Sequence, residues 1–263
     1  MTKKAKTATH PDAAHADSAH SYAGIDILAF GAHPDDVELS CAGVLVGQQQ
    51  QGYTTGIVDL TRGECGTQGT TEDRAAEAAK AARIMKLSER VTLDLPDSGV
   101  QPTHEQLQPV IDIIRRLRPR LVIAPAPRDR HPDHGHASTL VTEAAYYAGL
   151  QRYDADGPPW RPEAVIYYMQ YEPFEPDFIV DVTDVFDIKM QAIRAYASQF
   201  EPEDQNKPKT LISTPAFLIN LEARARVLGQ KIGVDFGEGF QVRQGVPVVD
   251  LMATFTRQGE NIR

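Results

Sequence analysis

From Ile25 onward, short apolar runs of strand length alternate with stretches whose apolar residues recur at helical spacing, and little chain separates one from the next. That alternation confines the chain to an α/β fold, because parallel strands need a crossover between them and a helix packed on the sheet supplies it. Residues 25–30 form the first apolar run, closed by Gly31, after which Val37, Cys41, Val44, Leu45 and Gln48 keep a helical stripe up to Gly52. Residues 55–60, 121–124, 164–169 and 178–182 read as further strands. Residues 74–87 read as an Ala-rich helix with Ala78, Ala82 and Met85 on one stripe. Leu107, Val110, Ile111, Ile114 and Leu117 mark another, stopped by Pro119. Helices are also expected at 135–149, near 184–200 and near 215–229. The expectation is a single Rossmann-like, doubly wound domain with a mostly parallel sheet, covering residues 23–263.

Residues 1–22 have no periodicity and no apolar segment of the kind a secretory signal needs, and they read as a disordered tail. The stretch 154–162, with Gly157, Pro158 and Pro159, reads as a surface loop; it follows the helix that carries the second of the two motifs below, so it could reshape the mouth of a site there. A formal charge of -9 argues against nucleic acid as a partner, since phosphate contacts need a basic face. No apolar run approaches the roughly 18 residues of a membrane span. Two cysteines, Cys41 and Cys65, are too few for a disulfide framework and fit a reducing cytoplasm.

Chemistry concentrates in two short motifs. Ala32-His33-Pro34-Asp35-Asp36-Val37-Glu38 follows the first strand, and Arg130-His131-Pro132-Asp133-His134-Gly135-His136 follows the strand at 121–124. Ligands of open α/β sheets bind at the carboxyl ends of strands, so the two motifs can converge there. Adjacent carboxylates in the first turn would repel a pyrophosphate, which argues against a nucleotide cofactor. A catalytic zinc needs three protein ligands and one position left for water. His33, one of the two Asp residues and one or two of the second motif's His residues supply that inventory. The spare carboxylate suits a general base, and a further His suits an acid and oxyanion partner.

The same blocks, AHPDDVE and HPDHGHA, resemble the signature of the PIG-L or LmbE-like N-acetylglucosaminyl deacetylases. DLTRGECGTQGTTEDRAAEAAKAA, LPDSGV, FIVDVTDVFDIKMQAIRAYASQF and EARARVLGQKIGVDFGEGF extend the likeness over roughly residues 25–245, toward the branch that serves bacillithiol synthesis. The resemblance implies a Rossmann-like fold, a mononuclear zinc (Fe2+ being the other metal such a site takes) and, in some members, homo-oligomers. It implies His33, Asp36 and His134 as metal ligands, Asp35 as general base, and His131 as acid and oxyanion partner oriented by Asp133. Arg74 matches a substrate-contacting arginine, and Arg62 joins it as a candidate for gripping a malyl carboxylate. The implied substrate is N-acetylglucosaminyl-malate, with free N-acetylglucosamine or chitooligosaccharides as the alternative.

Two other classes use the same residues. An Fe(II) oxygenase takes a two-His, one-carboxylate set, but on β-rich scaffolds and without need of a neighbouring base. A non-catalytic metal or sugar module would leave a costly spare carboxylate without a task. Bland roles are expected for Glu38 as a supporting or capping group, His136 as a packed or hydrogen-bonded residue, His104 as exposed, and Arg128 as a surface arginine. Arg130 lies near the same crevice. Tyr196, Gln199 and Phe200 lie in the family-like stretches, and their spacing suggests no role.

Overall fold

In a computed structural model, the chain is described over residues 24–200 and 208–256; the tail expected at 1–22 lies outside the described residues. Seven strands form one sheet: β1 (Ile27–Gly31), β2 (Thr55–Thr61), β3 (Glu89–Leu95), β4 (Leu121–Pro125), β5 (Ala164–Tyr168), β6 (Phe178–Asp181) and β7 (Gly237–Val242), in the order β3-β2-β1-β4-β5-β7-β6. The first five run parallel to one another, while β7 runs antiparallel between β5 and β6. All five residues of β1 are buried, as a strand covered on both faces requires. Ile27 and Ala29 enter one apolar cluster and Leu28 and Phe30 the other, so alternate residues of a single strand seed the two halves of the core.

Helices α1 (Asp36–Gln50), α2 (Thr71–Met85) and α5 (Phe186–Arg194) pack on the Ile27 face, and α3 (His104–Leu117) and α4 (Pro132–Ala148) on the Leu28 face. The short α6 (Ala197–Phe200) follows α5, α7 (Pro215–Ile232) packs along β7, and α8 (Leu251–Phe255) closes the described chain. Doubly wound packing and the mostly parallel sheet are thus as expected. No helix among the described residues is long and apolar enough to cross a membrane.

Three details differ from the sequence reading. Strands β3 and β7 have no counterpart in it: ERVTLDL sits at the sheet edge with only Leu95 fully buried, and GEGFQV carries two glycines, so neither shows a continuous apolar run. The helix expected near 184–200 is a 3-10 turn at Thr183–Val185, then α5, then α6, broken near Ala195. The loop at 154–162 does not border the site. Helix α4 carries the chain back to the amino ends of the strands, where Trp160 Nε1 donates to Pro119 O (2.7 Å) and Glu163 N to Arg120 O (2.8 Å). Arg115 of α3 fastens the loop there by donating to Ala148 O, Leu150 O and Ala155 O.

Candidate active site

The chain winds outward from β1 through β2 to β3, then restarts at β4 on the other side of β1. The resulting crevice between the carboxyl ends of β1 and β4 is the topological switch point, where open sheets bind ligands. Both motifs open on it. Gly31 ends β1 where a Cβ would lie 3.0 Å from His33 O and 3.1 Å from Asp36 Cβ, so the tight turn into α1 favours glycine. Asp35 then takes φ 111°, a left-handed conformation that costs a non-glycine residue about 1–3 kcal/mol and persists only where surroundings hold it. Arg74, from the first turn of α2, provides that hold: its Nη2 donates to Pro34 O and lies 3.3 Å from Asp35 Oδ2. Across the crevice His131 caps α4, its Nδ1 accepting from Asp133 N at 3.2 Å, with Pro132 as the first helical residue.

His33, Asp36 and His134 meet with their ligand atoms within 4.8 Å of one another. Asp36 Oδ2 lies 3.4 Å from His33 Nδ1, and Asp36 Oδ1 lies 3.3 Å from His134 Nε2. The Asp36 carboxylate thus bridges the two imidazoles, one oxygen toward each, and two His with one carboxylate are a donor set that zinc takes. His134 Nδ1 lies 2.8 Å from Asp129 Oδ1, which turns Nε2 toward Asp36, the carboxylate–imidazole–metal arrangement. A second group, His33, His131 and Asp133, overlaps the first. In it Asp133 Oδ2 accepts from Ser98 N at 2.7 Å and His131 Nδ1 from the Asp133 amide.

Asp133 donates through its backbone N–H to His131 Nδ1, the bond an N-cap side chain makes with the free amides of the first helical turn, while its carboxylate lies 3.4 Å from His33 Nε2.

The electrostatics divide the two adjacent acids. Burial pushes Asp35 up to about 7 against the opposing charge of Arg74, with Asp36 adding to the rise. Burial acts on Asp36 too, but the charges and hydrogen bonds of His134 and His33 hold it well below the usual carboxylate range. Asp97 and Asp129 are held near about 2 despite partial burial, chiefly by His33 and His134 respectively. His134 rises to about 9 because Asp36 and Asp129 outweigh its burial. His131 is lowered by burial and by the charges of His33 and His134. The buried carboxylates are balanced by His33 and His134, both raised above the usual imidazole range, so a bound cation would take the place of their protons.

Sequence reasoning did not single out three residues here. Asp97 lies 3.2 Å from His33 Nε2, Asp129 supports His134, and Gln170 Nε2 donates to Asp36 Oδ1. Each follows a strand end, after β3, β4 and β5, so the strand-end signal could have found them; Asp97 was hidden because β3 itself was. Arg62 is not drawn into the cluster, its Nη2 pairing with Asp94 Oδ1 at 2.6 Å. His136 contacts Gln101, His104 contacts Tyr153, and Arg128 pairs with Glu172 at the surface. Glu38 is a buried supporting group, accepting from Tyr196 Oη at 3.0 Å and from Arg90.

The fold and the cluster together define an α/β enzyme whose His/Asp/His set suits a metal ion. Residues 28–145 match the family described as PIG-L, GlcNAc-PI de-N-acetylase. Over 193 residues the chain is 31% identical to a diacetylchitobiose deacetylase from Thermococcus kodakarensis, covering 68% of this chain and 71% of that protein. It is 26% identical over 188 residues to a probable N-acetyl-alpha-D-glucosaminyl L-malate deacetylase 2 from Bacillus subtilis, covering 66% of this chain and 83% of that protein. The crystal structure of a conserved protein from Thermus thermophilus matches with a TM-score of 0.79 at 39% identity, over 86% of this chain and 98% of that one. The chain belongs to the PIG-L family and is an amidohydrolase, a deacetylase. That membership sets aside the oxygenase and the non-catalytic module.

Proposed function

We propose that the chain is a zinc-dependent deacetylase that removes the acetyl group from an N-acetylglucosamine unit, with a short chitooligosaccharide as substrate. The observation that carries this reading is the convergence of His33, Asp36 and His134 within 4.8 Å, with Asp35 beside them. His33, Asp36 and His134 hold the ion. Zinc bound there supplies Lewis-acid polarisation of the acetyl carbonyl and makes water a better nucleophile at neutral pH. Asp35 takes the proton of the attacking water, its pKa near about 7 suiting a base at neutral pH. His131, whose Nδ1 accepts from the Asp133 amide, presents its Nε2–H to the developing oxyanion, and Asp35 passes the proton it took from water to the departing nitrogen. Arg74 fixes Asp35 and borders the substrate.

The malyl conjugate, first in expectation, takes second place. The two arginines expected to grip its carboxylates have partners already, Arg62 with Asp94 and Arg74 with Pro34 O and Asp35. The relative named for diacetylchitobiose is also more similar to this chain than the one named for the malate conjugate. The test is amine release by zinc-loaded enzyme from N-acetylglucosamine, diacetylchitobiose and N-acetylglucosaminyl-malate. At least about tenfold higher kcat/KM on diacetylchitobiose than on the malate conjugate is expected, about 1.4 kcal/mol of discrimination. The reverse order would restore the malate reading, and no release from any of the three would overturn the deacetylation itself.

A cytoplasmic location and a homo-oligomeric state belong to the same proposal. Cys41 and Cys65 are both free thiols, which supports the first. Exposed Ile219 and Val227 on α7, with Val249, Leu251, Met252 and Phe255 near the C-terminal end of the described chain, support the second. Light scattering giving the mass of one chain would refute the oligomer.

A further inference from the structure

Helix α1, which begins at Asp36, is not continuous. Cys41 leaves helical geometry at φ −137°, ψ 19°, a little over one turn past Asp36. Two side chains from distant elements enter at the break. Glu238 of β7 accepts from Gly43 N through Oε1 (3.0 Å) and from Val44 N through Oε2 (2.8 Å). Lys189 of α5 donates to Ser40 O (3.3 Å) and to Glu238 Oε1 (2.5 Å). A regular helix pairs the amide of residue 44 directly with the carbonyl of residue 40. Here a carboxylate stands at that amide and an ammonium at that carbonyl, so an ion pair is spliced into the helix.

The chain is built to admit it. A Cβ on Gly43 would lie 2.8 Å from Val182 Cβ and 2.9 Å from Glu238 Oε1, so only glycine leaves room. Both charged side chains are 3% exposed, where an ion pair gains little over an apolar pair of similar volume. Stability is therefore a poor reason for its presence, and geometry a better one. The short segment ahead of the break carries Asp36, one oxygen facing His33 and the other His134. Its rotation about the helix axis decides where that carboxylate points, and Lys189 holds its last turn by the Ser40 carbonyl.

We propose that the Lys189–Glu238 pair is a positioning device that sets the orientation of the first turn of α1, and so of Asp36, and thereby the metal affinity of the site. This rests on the reading of Asp36 as a metal ligand. The test is zinc affinity of metal-stripped protein by competition with a chromophoric chelator, at a temperature well below every variant's Tm. Lys189→Met and Glu238→Gln are expected to weaken binding about 10- to 100-fold, the scale seen when support behind a ligand is lost. Lys189→Met/Glu238→Leu should regain stability, since both charges go together, yet keep the weakened affinity. Ile111→Ala, in the core of the opposite face, serves as a control that lowers Tm without touching α1. Should Glu238→Gln not fold, Glu238→Asp replaces it, keeping the charge and shortening the reach. Affinity unchanged in the pair variants, or falling only as far as Tm loss alone takes it in Ile111→Ala, overturns the proposal. Asp36→Asn separates the premise: full affinity there removes Asp36 from the ligand set and the proposal with it, whereas affinity lost there but kept in the pair variants refutes the positioning role alone.

Discussion

Asp35 and Asp36 share a peptide bond and little else. One is buried against an arginine in a strained left-handed conformation with its pKa near about 7, and the other lies ionised between two imidazoles. Asp35→Asn is expected to keep stoichiometric metal and lose about 10²- to 10⁴-fold in turnover, the scale of a general base. Asp36→Asn and His134→Ala should lose the metal, read by elemental analysis of dialysed protein; metal retained in Asp36→Asn and lost in Asp35→Asn would exchange the two roles. Asp129→Asn leaves His134 without the carboxylate that turns Nε2 inward, and about 10- to 100-fold weaker zinc binding is expected in chelator competition. The residue types at these positions were legible in the sequence because two dense motifs followed apolar runs. Which of the adjacent acids faces which partner was not legible in their spacing and came only from the family resemblance, since it depends on the backbone turn at Asp35 and on Arg74, distant in sequence.

Between elements, the clearest dependence is on Arg90. This β3 side chain donates to Asp59 of β2, to Glu38 of α1 and to the Tyr196 hydroxyl beyond α5, with both carboxylates almost fully buried. Burial raises the Asp59 pKa and Arg90 opposes that rise. Arg90→Met strands two buried carboxylates, so a loss of about 3–5 kcal/mol in urea unfolding is expected. A loss below about 1 kcal/mol would mean that water reaches the site and replaces the guanidinium. The network also gives Tyr196 the task its spacing did not reveal. Strands β3 and β7 escaped the sequence reading for the same kind of reason: an edge strand alternates with charge, and GEGFQV is a strand only because β5 and β6 flank it. At the start of α2, by contrast, Thr70 and Asp73 form a reciprocal capping box just ahead of the stretch at 74–87 that the sequence alone marks as helical.

For the molecule as a whole, the switch point gathers ligands from two motifs, so an ion bound there ties β1 and β4 together and must stabilise the fold. With free zinc at about 100 times its Kd, linkage adds about 2.7 kcal/mol, and calorimetry should show a higher Tm for loaded than for stripped protein. His134→Ala should show no such rise; an equal rise in that variant would place the ion elsewhere. The α/β class, the parallel winding and the two motifs are written in the linear chain, because hydrophobic period and turn residues are local properties that a chain displays before it folds. Folding adds the rest: His33, Asp36 and His134 meet, Asp97, Asp129 and Gln170 join them, the 154–162 loop lies at the far end of the strands, and Lys189 and Glu238 enter α1 from two other elements. Each of these is a contact between residues far apart in sequence, and its energy depends on burial and charge that exist only once the sheet is wound.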